Sequence, residues 1–160
     1  MAVYRFAYRL TGNQPDAEDV TQQTFLTAQQ CMHQLRDQDN PAPWLLAIAR
    51  SCWIKSHRRK RPTAAGAIEL NVDDIAEPLP AVEEFDTERL QSALDELPAE
   101  FKLVVVMFYF QEQSYKEIAA ALDIPMGTVM SRLARAKAHL RKRLAPPVEA
   151  DPPRQELFSR

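Results

Sequence analysis

Ser114-Tyr115-Lys116-Glu117-Ile118-Ala119-Ala120-Ala121-Leu122, then Asp123-Ile124-Pro125-Met126, then Gly127-Thr128-Val129-Met130-Ser131-Arg132-Leu133: the middle four residues divide two helical patterns. Ser114 and Glu117 form an S-x-x-E capping box, in which each side chain satisfies the other's free backbone amide at a helix start. Ile118, Ala119 and Leu122 give that helix an inner face. Asp123 to Met126 makes a turn, and a second helix from Gly127 buries Val129, Leu133, Ala136, Leu140 and Leu144 at intervals of three and four. Two helices coupled this closely form a helix-turn-helix.

Working outward, Phe101 to Phe110 is almost wholly apolar after Lys102, and its length suits a buried central helix better than a strand. Leu90, Ala93, Leu94 and Leu97 mark a short helix stopped by Pro98. A separate apolar block lies between Met1 and Ile54. Val3, Phe6, Ala7 and Leu10 share one helix face, which ends at Thr11-Gly12-Asn13. Pro15 then suits a first helical turn, with Asp16, Glu18 and Asp19 beside the positive end of the helix dipole. This second helix should run to about Met32. Its inner stripe is Ala17, Val20, Thr24, Ala28 and Cys31, widened by Phe25 and Leu26. Leu35 to Pro43 reads as a polar loop, and a third helix runs from Trp44 to about Arg61, closed by Pro62.

With three glycines and no Val/Ile/Thr alternation, the chain should be all-α. Two small helical domains are expected, over residues 1–62 and 85–145. A flexible acidic linker (63–84) joins them, and a proline-rich disordered tail (146–160) follows. The sequence holds no run of about eighteen uncharged apolar residues and no basic-then-apolar leader pattern, so it reads as a soluble cytoplasmic chain without stable membrane insertion. Cys31 and Cys52 sit inside helical patterns, which favours reduced, buried thiols. Grouped with His33 and His57 they match no familiar zinc spacing, so no metal or other cofactor is expected.

The net charge of -2 conceals how the charges are distributed. Leu45 to Pro62 holds six cations (Arg50, Lys55, Arg58, Arg59, Lys60, Arg61) and no acid. Gly127 to Ala145 again holds six (Arg132, Arg135, Lys137, Arg141, Lys142, Arg143) and no acid. Between them, Thr63 to Glu100 carries eleven acids against Arg89 alone. A solvated face explains any single run; two acid-free helical runs point to two contacts with a polyanion. In the last helix, burial of Val129, Leu133 and Leu140 directs Thr128, Ser131, Arg132, Arg135, His139 and Lys142 to the opposite side. From there Ser131, Arg132 and Arg135 can reach base edges in a major groove, while Lys137, Arg141 and Lys142 meet phosphates. Thr128 is placed to bond a phosphate at the helix start. The earlier basic helix interleaves Trp44 and Trp53 with cations, a composition suited to single strands, although both tryptophans also fit a core. The acidic start at Asp16, Glu18 and Asp19 has two readings, a complement to the helix dipole or a face for a protein partner that also includes Gln22, Gln23 and Gln29.

Taken in order, these segments resemble the extracytoplasmic-function sigma factors of the sigma-70 superfamily. Leu10-Thr11-Gly12-Asn13, Asp16-Ala17-Glu18-Asp19-Val20 and Gln23-Thr24-Phe25 are similar to the polymerase-binding segment of that family. Trp44-Leu45, Ile48-Ala49-Arg50 and Arg58-Arg59-Lys60-Arg61 resemble the segment that reads and melts the −10 element. Leu97-Pro98, Phe108-Tyr109 and the helix-turn-helix resemble the domain that reads the −35 element. The resemblance implies that Asp16, Glu18, Asp19, Gln22 and Gln23 face the beta-prime clamp helices of core RNA polymerase. It implies that the loop from Arg36 to Pro43 holds a flipped base, with Asp39, Asn40, Trp44, Ser51, Lys55, Arg58 and Arg59 at the −10 DNA. Tyr115, Lys116, Thr128, Ser131, Arg132, Arg135 and Lys137 would meet the −35 duplex. The implied partners are core polymerase (clamp helices and beta flap), promoter DNA and an anti-sigma factor. Three departures stand out: a short first helix, Ser51 where Asn is common, and Asp123 where the turn usually has Gly. Asp tolerates the left-handed backbone that such a corner needs.

Other functions predict other features. A stand-alone helix-turn-helix regulator has no use for the acidic helix start, the polar loop and the second basic helix. A nuclease needs convergent carboxylates or a His/Lys pair, and the pattern brings no such set together. No catalytic role is expected.

Overall fold

The computed structural model describes residues 2–60 and 87–145, and every regular element among them is helical. The linker (63–84) and tail (146–160) expected from the sequence lie outside the described residues. Helix α1 (Ala2–Thr11) buries Val3, Phe6, Ala7 and Leu10. It ends at Gly12, whose φ of 75° turns the chain and lets its amide donate to the Tyr8 carbonyl at 2.8 Å. Helix α2 (Gln14–Gln30) starts under Asn13, whose side chain accepts from the Asp16 amide at 2.9 Å. A short 3-10 turn (Met32–Gln34) and a loop lead to α3 (Ala42–Lys60). These three helices pack on one another.

The second set is α4 (Thr87–Asp95), α5 (Ala99–Val105), α6 (Tyr115–Leu122) and α7 (Met126–Leu144), with α7 lying against the other three. The apolar run from Phe101 to Phe110 is not one uniform helix: α5 widens into a π-helical turn over Val106–Phe110. There the aromatic rings interlock. Phe108 stacks on Tyr115 with centroids 5.2 Å apart and meets the Tyr109 ring edge-on at 4.9 Å. Ser114 Oγ accepts from the Glu117 amide at 3.3 Å, and Glu117 Oε2 accepts from the Ser114 amide at 2.7 Å, completing the capping box. Asp123 takes the left-handed corner with φ 53°.

Two expectations need correction. Phe25 and Leu26 do not widen the inner stripe of α2; they are 52% and 49% exposed. At about 100° per residue, Leu26 stands roughly 200° round from the buried Thr24, on the other side of the helix. The apolar blocks, read as two separate cores, are also in contact. One buried cluster runs continuously from Val3 through Leu94 and Val105 to Leu144, because α1 packs against α4, α5 and the π-helical turn.

Candidate nucleic-acid interface

The candidate reading surface is on α7. Val129, Leu133, Ala136, Leu140 and Leu144 are buried along one side, which fixes the rotation of the helix. Ser131, Arg135 and Lys142 are exposed, as is Lys116 on α6. Ser131 Oγ donates back to the Thr128 carbonyl at 3.0 Å, so it must rotate to meet a base. Thr128 and Lys137 are half-buried. Burial lowers the pKa of Lys137, and the neighbouring Arg141 lowers it further. Tyr115 is held by its stack on Phe108.

Two residues differ from the sequence expectation of an outward face. Arg132 is half-buried and ion-paired with Glu100, and His139 Nε2 lies 3.2 Å from Glu96, which Arg143 also contacts. Arg132 stands three residues beyond the buried Val129, about 60° from it on the wheel, so it flanks the core stripe. Pairs of this kind tie α7 to the acidic residues Glu96 and Glu100, a link not visible in the one-dimensional charge pattern.

Helix α3 is placed differently. Trp53 is core, stacked on His57 at 5.2 Å. Trp44, Ala47, Arg50, Ser51 and Lys55 line an open groove of about 950 Å³, whose other wall is Asp19, Gln22, Gln23 and Leu26 of α2. The expected polymerase-facing and −10 residues are therefore neighbours across one groove. Ser51 Oγ donates to the Ala47 carbonyl at 3.1 Å, and Arg58 is exposed; the side chain of Arg59 lies outside the described residues. Arg50 is half-buried, and burial lowers its pKa. Asp39 and Asn40 are exposed in the loop, and their amides donate to Asp37 Oδ1 at 3.1 Å each. Asp37 thus shapes the loop, a contact the sequence reading did not single out, although the Asp-x-Asp-Asn pattern is an Asx-turn signal.

Along the acidic start of α2 the residues divide. Asp16 accepts from Asn13 Nδ2 at 3.1 Å and belongs to the cap, and Glu18 accepts from Gln14 at 2.7 Å. Asp19 and Gln22 are exposed beside Phe25 and Leu26; Gln23, also exposed, donates to Thr27 at 3.3 Å. Among the described residues no three His, Cys, Asp or Glu side chains converge as a metal site, and no helix is long and apolar enough to cross a membrane.

The family model for sigma-70 region 2 matches residues 2–63, and that for sigma-70 region 4 matches residues 87–140. The chain is 32% identical to the ECF RNA polymerase sigma factor SigW of Bacillus subtilis, over 89% of this chain and 82% of that protein. The chain belongs to the ECF RNA polymerase sigma factors. SigL of Mycobacterium tuberculosis is 34% identical, with 87% of this chain and 80% of SigL covered. SigE of Mycolicibacterium smegmatis is 37% identical over 89% of this chain, which spans 57% of SigE's length. Among solved structures, the sigma factor RpoE from Bartonella quintana, in complex with the anti-sigma factor NepR, shares the fold with a TM-score of 0.67 at 24% identity and 89% coverage of both chains.

Within this ECF sigma factor, region 2 comprises α1 to α3 and region 4 comprises α4 to α7. In region 2, Phe25, Leu26 and Met32 are exposed apolar residues that sequence reasoning had assigned inward or passed over. Helical-wheel arithmetic would have found the exposure of Leu26. In region 4, Met126 and Met130 are exposed on the first turns of α7.

Proposed function

We propose that this chain binds core RNA polymerase and directs promoter-specific initiation, with region 2 reading and melting the −10 element and region 4 reading the −35 element. The observation that carries this reading is the pairing, within one chain, of a rigid cationic helix and a cationic groove. Helix α7 has a fixed, acid-free outer side suited to a duplex. The α2/α3 groove has Trp44 and cations on one wall, suited to an unstacked strand. On its other wall Asp19, Gln22 and Leu26 adjoin Phe25, a polar face with an apolar centre of the kind that protein partners bury. We assign Asp16, Glu18, Asp19, Gln22 and Gln23 to core polymerase, with Asp16 acting through the shape of the helix start. Asp39, Asn40, Trp44, Ser51, Lys55, Arg58 and Arg59 go to the −10 strand. Lys116, Thr128, Ser131, Arg135 and Lys137 go to the −35 duplex, where Tyr115 and Arg132 position the two helices.

The chain itself carries out no bond chemistry; the polymerase supplies it. Its place of action is the cytoplasm, where core polymerase and promoters are. An anti-sigma factor is a further partner, a proposal motivated by the fold shared with RpoE. A stand-alone regulator is disfavoured because it leaves the region 2 groove without a task. The test is reconstitution: core polymerase plus purified chain should start transcripts at one position on a template recovered by selection, and core alone should not. Equal transcription with and without the chain contradicts the proposal.

A further inference from the structure

Met126 and Met130, 51% and 48% exposed, are the large apolar side chains that the described part of region 4 leaves most open to water, and both stand on the first turns of α7. One exposed apolar side chain needs no explanation. These two are four residues apart, so they adjoin on the helix surface and form a patch. The buried stripe that fixes α7 begins at Val129 and passes them by. Gly127 lies between them in sequence, at an ordinary helical position rather than a left-handed one. A Cβ built there would meet no atom within 4 Å. Neither the backbone nor the core therefore calls for glycine, which weakens a helix relative to alanine. Glycine at a point where the molecule leaves open space suits a surface against which a second molecule brings its own.

The surroundings of the patch select that second molecule. Gly127 lies one turn before the exposed Ser131, on the same side of the helix, and Met130 adjoins both. Arg135 and Lys142 continue the exposed side, and Gly127 to Ala145 holds six cations and no acid. A second copy of the same helix would be repelled, whereas a duplex meets the cations with its phosphates. Within a duplex, methionine has one good counterpart. Its thioether has no donor and is only a weak acceptor, so against the polar edge of guanine, adenine or cytosine it removes water without replacing the hydrogen bonds. Thymine alone shows a methyl group in the major groove. The unbranched, three-bond side chain of methionine can bend to meet it. Four residues of helix rise about 6 Å, one to two base-pair steps at about 3.4 Å each, so the two side chains address neighbouring positions.

We infer that Met126 and Met130 select thymine at two neighbouring positions of the −35 element through its 5-methyl group, and that Gly127 lets the first turn of α7 lie close enough to the DNA for both to do so. The inference rests on the −35 reading proposed above and names the chemistry by which that site chooses its sequence.

The test uses holoenzyme reconstituted from core polymerase and the full chain, with a promoter recovered by selection from templates randomised over the −35 element. The selected element should hold two thymines one or two base pairs apart. Each thymine of the element is replaced in turn by deoxyuridine, which keeps the base pair and removes only the methyl group. Two of these replacements should each weaken binding about fourfold in anisotropy titrations, the effect of burying about one methyl group. Met130→Ala should weaken binding to the parent promoter at least as much and bring the thymine-to-uracil ratio at one of the two positions to one; Met126→Ala should do so at the other. Both variants should keep the parent salt slope, because neither loses a phosphate contact. Gly127→Ala should weaken promoter binding several-fold without lowering the melting temperature of the free chain. Indifference to every uracil replacement, or ratios that neither methionine variant alters, overturns the methyl reading and leaves the −35 reading standing. Parent-like binding by Gly127→Ala overturns the close approach. If selection recovers no −35 preference at all, the −35 reading fails and this inference falls with it.

Discussion

Helices α3 and α7 have the same length, 19 residues, and each is acid-free and rich in cations, five in α3 and six in α7, yet they are held in opposite ways. Helix α7 buries five residues along one stripe and is tied laterally by Glu96 and Glu100. Among the described side chains of α3 only Ala49 and Trp53 are buried; Leu45, Leu46 and Ile54 pack partly buried against the core, while Ala47, Ile48 and Cys52 line the groove. The difference fits the targets proposed for them. Reading a duplex requires side chains at fixed angles to a preformed groove, which a packed stripe provides. Holding an extruded base requires a concave wall with room to admit it.

The largest effect that can break this comparison is on stability. Leu133→Ala, at a nearly fully buried position in α7, should cost about 2 to 5 kcal/mol, whereas Ile48→Ala at a half-buried position in α3 should cost clearly less. Urea unfolding of the full chain measures both; equal costs would mean that α3 is as tightly packed as α7. Next in size is base reading. Arg135→Ala should lose about 1 to 3 kcal/mol on the preferred −35 duplex and much less on random sequence. Lys142→Ala should weaken both alike and lower the salt slope by about one unit, in anisotropy titrations over a salt series. Equal losses for Arg135→Ala on both duplexes would remove sequence reading from α7.

Smaller still is the cap that starts the helix-turn-helix. Ser114→Ala should cost about 1 kcal/mol. The hydrogen bonds from Ser114 hold the Glu117 carboxyl below its usual pKa. A depressed folded pKa means that this contribution is present above the unfolded carboxylate range and lost as pH falls through the folded value. Acidification should therefore narrow the difference between wild type and Ser114→Ala, as read by thermal melts from pH 7 to pH 3, leaving the part due to the bond from the Glu117 amide to Ser114 Oγ. A constant difference would mean that the hydroxyl–carboxylate bond contributes nothing and the amide cap carries the whole effect. The smallest effect should come from Asp37→Ala, which frees the Asp39 and Asn40 amides; it should lower −10 strand affinity a few-fold, about 1 kcal/mol, and leave −35 binding unchanged.

Much of the fold was legible in local signals. The capping box at Ser114, the stripe from Val129 to Leu144 and the Asp123 corner all depend on neighbours within a few residues. Two features were not legible, for physical reasons. The π-helical turn at Val106 to Phe110 accompanies ring packing between Phe108 and Tyr115, which periodicity does not encode. The contacts of Lys102 with Leu10 and of Arg9 with Gln91 join positions more than eighty residues apart, and Lys102 read simply as the polar edge of an apolar run. Among the candidate site residues, exposed Ser131 and Arg135 followed from the stripe, whereas Arg132 depended on the placement of Glu100.

The division of labour between α3 and α7 is tested most directly by comparing two templates in reconstituted transcription, one fully duplex and one with the −10 element already unpaired. On duplex DNA, Trp44→Ala and Arg135→Ala should both reduce open complexes, read by permanganate reactivity of unpaired thymines outside the preformed bubble. On the premelted template, Trp44→Ala should recover much of its activity, because the unstacking cost of a few kcal/mol has been removed, and Arg135→Ala should not. Recovery of both variants, or of Arg135→Ala alone, would contradict the assignment of the melted strand to α3 and the duplex to α7.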